Sequence, residues 1–244
     1  MRPVDSHCHL QFEQFDTDRE EVVKSIEEGL DSAVVAGIDP VENEKAVETA
    51  EMSSQLSCCL GLHPLHHEKS LEKVRQQIQS FDPVAVGEIG LDYNYITGKK
   101  EREETEKVFR RMLEITEEEG LNAVIHSRNA EQKAFEIVKE YDVTGFFHCF
   151  NGRPELASEI AEKHFVGVTT QVVDSTRVRN IVKEVGMDSM LVETDSPYLG
   201  LDGRNTPLNV SRVVDEIADL KQLEREKVVE ATRRNSRNFF EAGH

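Results

Sequence analysis

Residues 3–10 read Pro3-Val4-Asp5-Ser6-His7-Cys8-His9-Leu10. On a helix, side chains two residues apart point about 200° away from each other, whereas on a strand they leave from one face. Read as a strand, the stretch aims two imidazoles at one spot. Comparable apolar, β-rich runs recur at Ala33–Ile38, Ser57–His63, Val84–Leu91, Ala123–His126, Gly145–Phe150, Phe165–Thr169 and Met190–Asp195. The segments between them carry helical spacing. In one, Thr105, Val108, Phe109, Met112, Leu113 and Thr116 fall on a single face; in another, Val210, Val213, Val214, Ile217 and Leu220 do. Strands alternating with helices give a parallel sheet. Eight such units in 244 residues predict an α/β fold, a closed (β/α)8 TIM barrel. No Gly/Ser/Pro-rich linker interrupts the pattern, so one domain over residues 1–244 is expected. Glu224–Phe240 is expected as a final helix, with Arg233-Arg234-Asn235 on its solvated surface.

Composition bounds the partners. The chain has 29 Lys and Arg against 47 Asp and Glu, a formal net charge of −18. The excess lies in helical segments such as Glu101–Glu106 and Glu117–Glu119 and reads as a solvated acidic surface. A protein that grips long duplex by displacing counterions needs a basic stripe, and none is visible. Any phosphate must be held locally, by metal ions and a few basic side chains. No apolar run reaches the roughly 18 residues of a membrane span, and the first residues lack a secretory pattern; a cytoplasmic location is expected. Cys8, Cys58, Cys59 and Cys149 show no C-x-x-C spacing and are expected to be reduced. On strands whose histidines face a site, Cys8 and Cys149 would face away and pack.

The polar residues of the apolar runs fall at their ends. His7 and His9 close the first, His63 the third, His126 the fifth, His148 the sixth and Asp195 the eighth, while Glu88 sits inside the fourth. The C-terminal strand ends of a (β/α)8 barrel converge on one rim, where active sites are built. A lone histidine at a strand end is ordinarily a satisfied hydrogen-bonding residue; four or five histidines with two carboxylates at one rim are a different matter. Burying Glu88 and Asp195 unpaired would be costly, and a cation offsets that cost. Imidazole mixed with carboxylate suits Zn, Mn, Fe or Mg, and a carboxylate can bridge two ions.

Six motifs stand in order along the chain: VDSHCHL, GLHP, VAVGEIGLDYN, VIHSRNA, FHCFNG and VETDSPYL. With them the sequence resembles, over nearly its whole length, the TatD-like metal-dependent deoxyribonucleases of the amidohydrolase-type barrels. The resemblance implies two divalent ions, of Mg, Mn or Zn. It makes His7 and His9 ligands of one ion, His126 and His148 ligands of the second, and Glu88 the bridge. Asp195 becomes a ligand of the first ion that orients or deprotonates the attacking water, so Asp195 and Glu88 carry the catalysis. His63 matches a position near substrate phosphate. Arg128, two residues beyond His126, can offer a fork of donors to a phosphate oxygen. Glu193, two residues before Asp195 and lower on the same strand face, can orient a ligand from behind.

The implied reaction is hydrolysis of DNA phosphodiesters, at ends or on single strands, by a metal-activated water. An alternative is hydrolysis of another ester or amide, as in a D-aminoacyl-tRNA deacylase or a small cyclic amide hydrolase. Glu88 at the bridging position argues against the barrels that place a carboxylated lysine there. Departures from the family pattern bear on substrate more than on metal. Thr105 stands where a Gln is common, GLDGRNTPLNV replaces a longer and more basic loop, and TTQVVDST lacks a customary aromatic residue. Fewer basic residues around the mouth, with the acidic total charge, argue against tight binding of long DNA.

Overall fold

The computed structural model describes residues 1–241; the last three positions of the expected domain lie outside the described residues. Eight parallel strands follow one another around the sheet in chain order: β1 Val4–Cys8, β2 Ser32–Ala36, β3 Leu56–Leu60, β4 Ala85–Asp92, β5 Ala123–Arg128, β6 Gly145–Phe147, β7 Phe165–Val168 and β8 Met190–Val192. The helices between and after them are α1 Arg19–Gly29, α2 Pro40–Ala50, α3 Leu71–Phe81, α4 Lys99–Glu118, α5 Glu131–Val138, α6 Pro154–Ile160, α7 Thr176–Glu184, α8 Val210–Lys221 and α9 Arg225–Phe240. This is the (β/α)8 barrel that the alternation predicts. None of the helices is long and apolar enough to cross a membrane.

Each strand buries both faces, which is why the strands read as near-continuous apolar runs. One face feeds the layer beneath the helices, with Cys8, Val35, Leu60, Ile125, Phe147 and Val192. The other fills the barrel with Val34, Ala36, Cys59, Ala85, Val124, Phe146 and Leu191. Helix starts are fixed locally: at α2, the Asp39 carboxylate accepts from the amides of Val41 and Glu42 at 2.8 and 2.9 Å, with Pro40 in the first turn.

β3, β6 and β8 each stop three residues sooner than the sequence suggests, where the chain turns at the rim. His63 lies beyond β3, where its Nδ1 accepts from the Leu65 amide at 3.2 Å and caps a short 3-10 turn over Pro64–His66. Cys149 (φ 47°) and Asp195 (φ 55°) adopt left-handed conformations that turn the chain off β6 and β8. Such positions cost an L-residue on the order of 1–3 kcal/mol and concentrate at functional sites. Two further expectations need correction. Cys149, displaced from the strand by that turn, is half-buried and lines a cleft instead of packing away from it; Cys8 does face away, its thiol 3.3 Å from the Val34 carbonyl. In Arg233-Arg234-Asn235 only Arg234 is exposed. Arg233 meets Asp31 at 2.7 Å, and buried Asn235 donates to the carbonyls of Met187 and Met190 at 2.7 and 2.8 Å, pinning the start of β8.

Candidate metal centre

Glu88 is the hub of the C-terminal rim. Its Oε2 faces His7 Nε2 at 3.6 Å and His9 Nε2 at 3.7 Å. Its Oε1 faces His126 Nδ1 and His148 Nε2, each at 2.7 Å, and His63 Nε2 at 3.6 Å. Asp195 Oδ1 closes the first side, 3.8 Å from His7 Nε2 and 3.5 Å from His9 Nε2. A slip of register between β4 and β5, between Val86 and Ile89, accompanies the inward turn of Glu88. Space around it is tight: a Cβ on Gly61 would lie 2.5 Å from the Gly87 carbonyl carbon and 2.6 Å from the Glu88 nitrogen.

Partners behind the rim fix the rings. The Nδ1–H of His9 donates to the Ala36 carbonyl at 2.8 Å, which leaves the Nε2 lone pair turned inward. His148 Nδ1 meets Glu193 Oε2 at 3.3 Å, while Glu193 Oε1 accepts the Cys149 amide at 2.6 Å. Gly167 makes room for that carboxylate, since a Cβ there would sit 2.2 Å from Glu193 Oε1.

The donors fit a cation. His63, Glu88 and His126 can each supply an atom lying within 4.8 Å of the others, as can His7, His9 and Asp195, or His7, His148 and Glu193. Buried His7 Nδ1 and His148 Nε2 have no hydrogen-bond partner. The 2.7 Å approach of His148 Nε2 to Glu88 is therefore close without hydrogen-bond geometry, an arrangement that donors around an ion adopt. The electrostatics agree. Burial opposes charge on Glu88, yet His148 and His63, aided by a hydrogen bond from His126, hold its carboxyl well below the usual range. Burial likewise opposes a proton on His148, but Glu88 and then Glu193 hold it well above the ordinary value. Burial, reinforced by His148, keeps His7 well below its ordinary value, and burial, reinforced by His126, drives His63 to about 3. Two buried carboxylates thus draw positive charge into a site in which His7 stays a neutral imidazole.

The rim opens into a cleft of about 710 Å³ that His9, His63, Glu88, His126, His148 and Asp195 help to line. Arg128 stands exposed at its mouth, the guanidinium 5.8 Å above the Tyr95 ring. His7 and Glu193 lie beneath, fully buried. Two carboxylates escaped the sequence reading. Asp92 Oδ2 lies 3.1 Å from His126 Nε2, and Asp92 Oδ1 caps the turn at Asn94 and Tyr95. Asp5 accepts from the amide and hydroxyl of Thr194 at 2.9 and 2.6 Å. Each lies an even number of residues from a motif residue, Asp92 from Glu88 and Asp5 from His7, which is the strand-parity signal that could have found them. Of the residues in the variant loop, Arg204 forks onto Asp18 at 2.8 and 2.6 Å, and buried Asn205 donates to the Thr194 carbonyl at 2.9 Å. Thr105 is buried on α4, its hydroxyl bonded to the carbonyls of Glu101 and Arg102.

The sequence profile of the family described as TatD related DNase matches residues 4–241. A metal-dependent hydrolase of Methanocaldococcus jannaschii is 33% identical over 247 residues, covering 98% of this chain and 97% of its own. The 3′-5′ ssDNA/RNA exonuclease TatD of Erwinia tasmaniensis is 28% identical over 257 residues, covering 97% of this chain and 98% of its own. Among solved structures, a TatD homologue from Escherichia coli K12 superposes with a TM-score of 0.89 at 25% identity, over 98% of each chain.

Proposed function

The chain belongs to the TatD-related DNase family of metal-dependent hydrolases, and from that premise we propose that it hydrolyses DNA phosphodiesters at oligonucleotide ends or on single strands. The observation that carries this reading is the two-sided setting of Glu88, one carboxylate oxygen toward His7 and His9 and the other toward His126 and His148. His7, His9 and Asp195 would hold one divalent ion and His126 and His148 another, with Glu88 between them, and Mg, Mn or Zn would suit these donors. Bound there, such a pair lowers the pKa of a water and braces the oxygens of a phosphodiester.

The chain's own residues do the rest. Asp195 is within reach of the nucleophile and takes its proton. Arg128 offers two donors to a non-bridging phosphate oxygen, a geometry that a lysine would not match. His63, kept neutral by burial, bonds a phosphate oxygen at the cleft wall. Glu193 holds the His148 ring in one orientation. The fold acts as one domain over residues 1–244, in the cytoplasm. The cluster's small span and the acidic total charge favour short or unpaired substrates over long duplex.

The deciding experiment incubates end-labelled single-stranded DNA with the protein after chelation and again after adding Mg²⁺, Mn²⁺ or Zn²⁺. Metal-dependent shortening of the strand is expected. Intact DNA in the presence of protein whose ions are confirmed by mass spectrometry would overturn the reading.

A further inference from the structure

The cleft combines a few cationic side chains with exposed aromatic rings in its lining. Among the residues lining it, Arg128 and Arg177 are the Arg and Lys side chains. Arg128 ends β5 and Arg177 lies in the first turn of α7, beyond β7, so they flank the segment 148–151 that follows β6. Neither pairs with a carboxylate among the described residues, although the chain carries 47 acidic side chains and most of its arginines are paired. Arg177 instead donates Nη1 to the Asn151 carbonyl at 3.2 Å, which holds the guanidinium at the rim and leaves its other N–H groups free. Aromatic and apolar side chains line the cleft as well: Tyr95, 62% exposed, lies beneath Arg128, Phe12 lies flat on His9 with ring centres 4.6 Å apart, Tyr198 is 49% exposed and Leu65 40% exposed.

Cationic side chains set among stacking rings are how single-stranded nucleic acid is held, phosphates on the first and bases on the second. On the reading of the site as a phosphodiesterase, we infer that Arg177 forms a second phosphate subsite, taking the phosphate next to the scissile one while Arg128 attends the scissile group. The neighbouring bases then turn toward Tyr198 and Phe12. A duplex, whose bases are paired, cannot present both edges in this way, so the subsite selects unpaired strands.

Binding tests this apart from catalysis. Fluorescence anisotropy with a phosphorothioate oligothymidylate measures Kd for the protein, for Arg177→Gln, for Arg177→Lys and for a control at the far end of the barrel, Arg237→Gln, across a range of salt. Arg177→Gln is expected to raise Kd about tenfold, a lost charge-assisted contact. It should also make the slope of log Kd against log salt shallower by about 0.7, the value of one phosphate on a single strand. Arg177→Lys should keep the slope, a result that mere distortion of the loop would not give, and Arg237→Gln should match the parent. Unchanged Kd and slope in Arg177→Gln, or no binding by the parent protein, overturns the inference. Arg177-dependent binding without metal-dependent cleavage would leave the subsite standing and remove the phosphodiesterase reading. Cleavage indifferent to Arg177 would do the reverse.

Discussion

The two ends of the barrel are built from the same inward-facing strand positions and put to opposite use. Near the N-terminal ends, Val124, Phe146 and Leu191 point inward and meet a plug from α9, where Phe239 packs edge-to-face on Phe146 and Phe165, with ring centres 5.7 Å away in each case. Two residues further along, the same face carries His126, His148 and Glu193. One end gains its stability from apolar burial and aromatic contacts. The other gathers buried charge, two left-handed residues and unpartnered ring nitrogens, features that weaken a fold unless a cation joins them. The difference teaches that one side-chain period can serve packing at one depth and chemistry at another.

Substitutions can break this division, and the largest effect is expected at the rim. Asp195→Asn should lower kcat by about 10²–10⁴-fold, the range of a lost general base, with little change in melting temperature; steady-state hydrolysis and a thermal melt read the two together. A large loss of stability would show that the rim also supports the fold. Phe239→Ala should invert the pattern, costing about 3–5 kcal/mol in urea unfolding through the cavity it leaves while kcat stays near the parent value well below the melting point. Glu193→Gln sits between the two ends. It leaves an oxygen for the Cys149 amide but loses the charge behind His148, and should weaken metal affinity or activity about 10–100-fold by competition with a chelating dye.

The smallest effect concerns pH and lies outside the rim. His164 accepts the Gly145 amide through Nδ1 at 3.1 Å, and burial pushes the imidazole down to about 4. The unfolded chain protonates it near 6.5, so it binds more protons than the folded one between those values. The neutral-ring stabilisation is full above about 6.5 and is lost as pH falls toward 4. Melting temperature should therefore decline from pH 7 to pH 5, and His164→Asn should flatten part of that decline. An identical slope in the variant would remove His164 as a cause.

Much of this organisation can be read from residue order. Apolar runs fix the eight strands, and parity within a run places His7 with His9 and Glu193 with Asp195, because a strand alternates faces without exception until it bends. Where it bends, reading fails. Cys149 should have faced away by parity, but its left-handed turn carries it into the cleft. Asn235 resembled surface because Arg233 and Arg234 precede it, yet one helical step separates exposed Arg234 from buried Asn235. Asp5 is legible as a polar residue, but its partner Thr194 is 189 residues away, and nothing local records a contact of that span.

That span has a consequence for assembly. β8 ends at Val192, and the seam between last and first strands is carried by residues of the rim: the Asp195 amide donates to the His7 carbonyl at 3.0 Å, the His9 amide donates to the Ser196 carbonyl at 2.7 Å, and Thr194 bonds Asp5. Joining the two ends of so long a chain is the costliest loop closure the barrel makes and belongs to the slow class of non-local contacts. The site and the closure of the ring are thus a single event. On the proposed assignment Glu88, His126 and His148 come from neighbouring strands, whereas Asp195 reaches His7 and His9 only where the end of the sheet meets its beginning. An ion shared by His7, His9 and Asp195 would then be a rivet across the join, fastening the beginning of the polypeptide to its end.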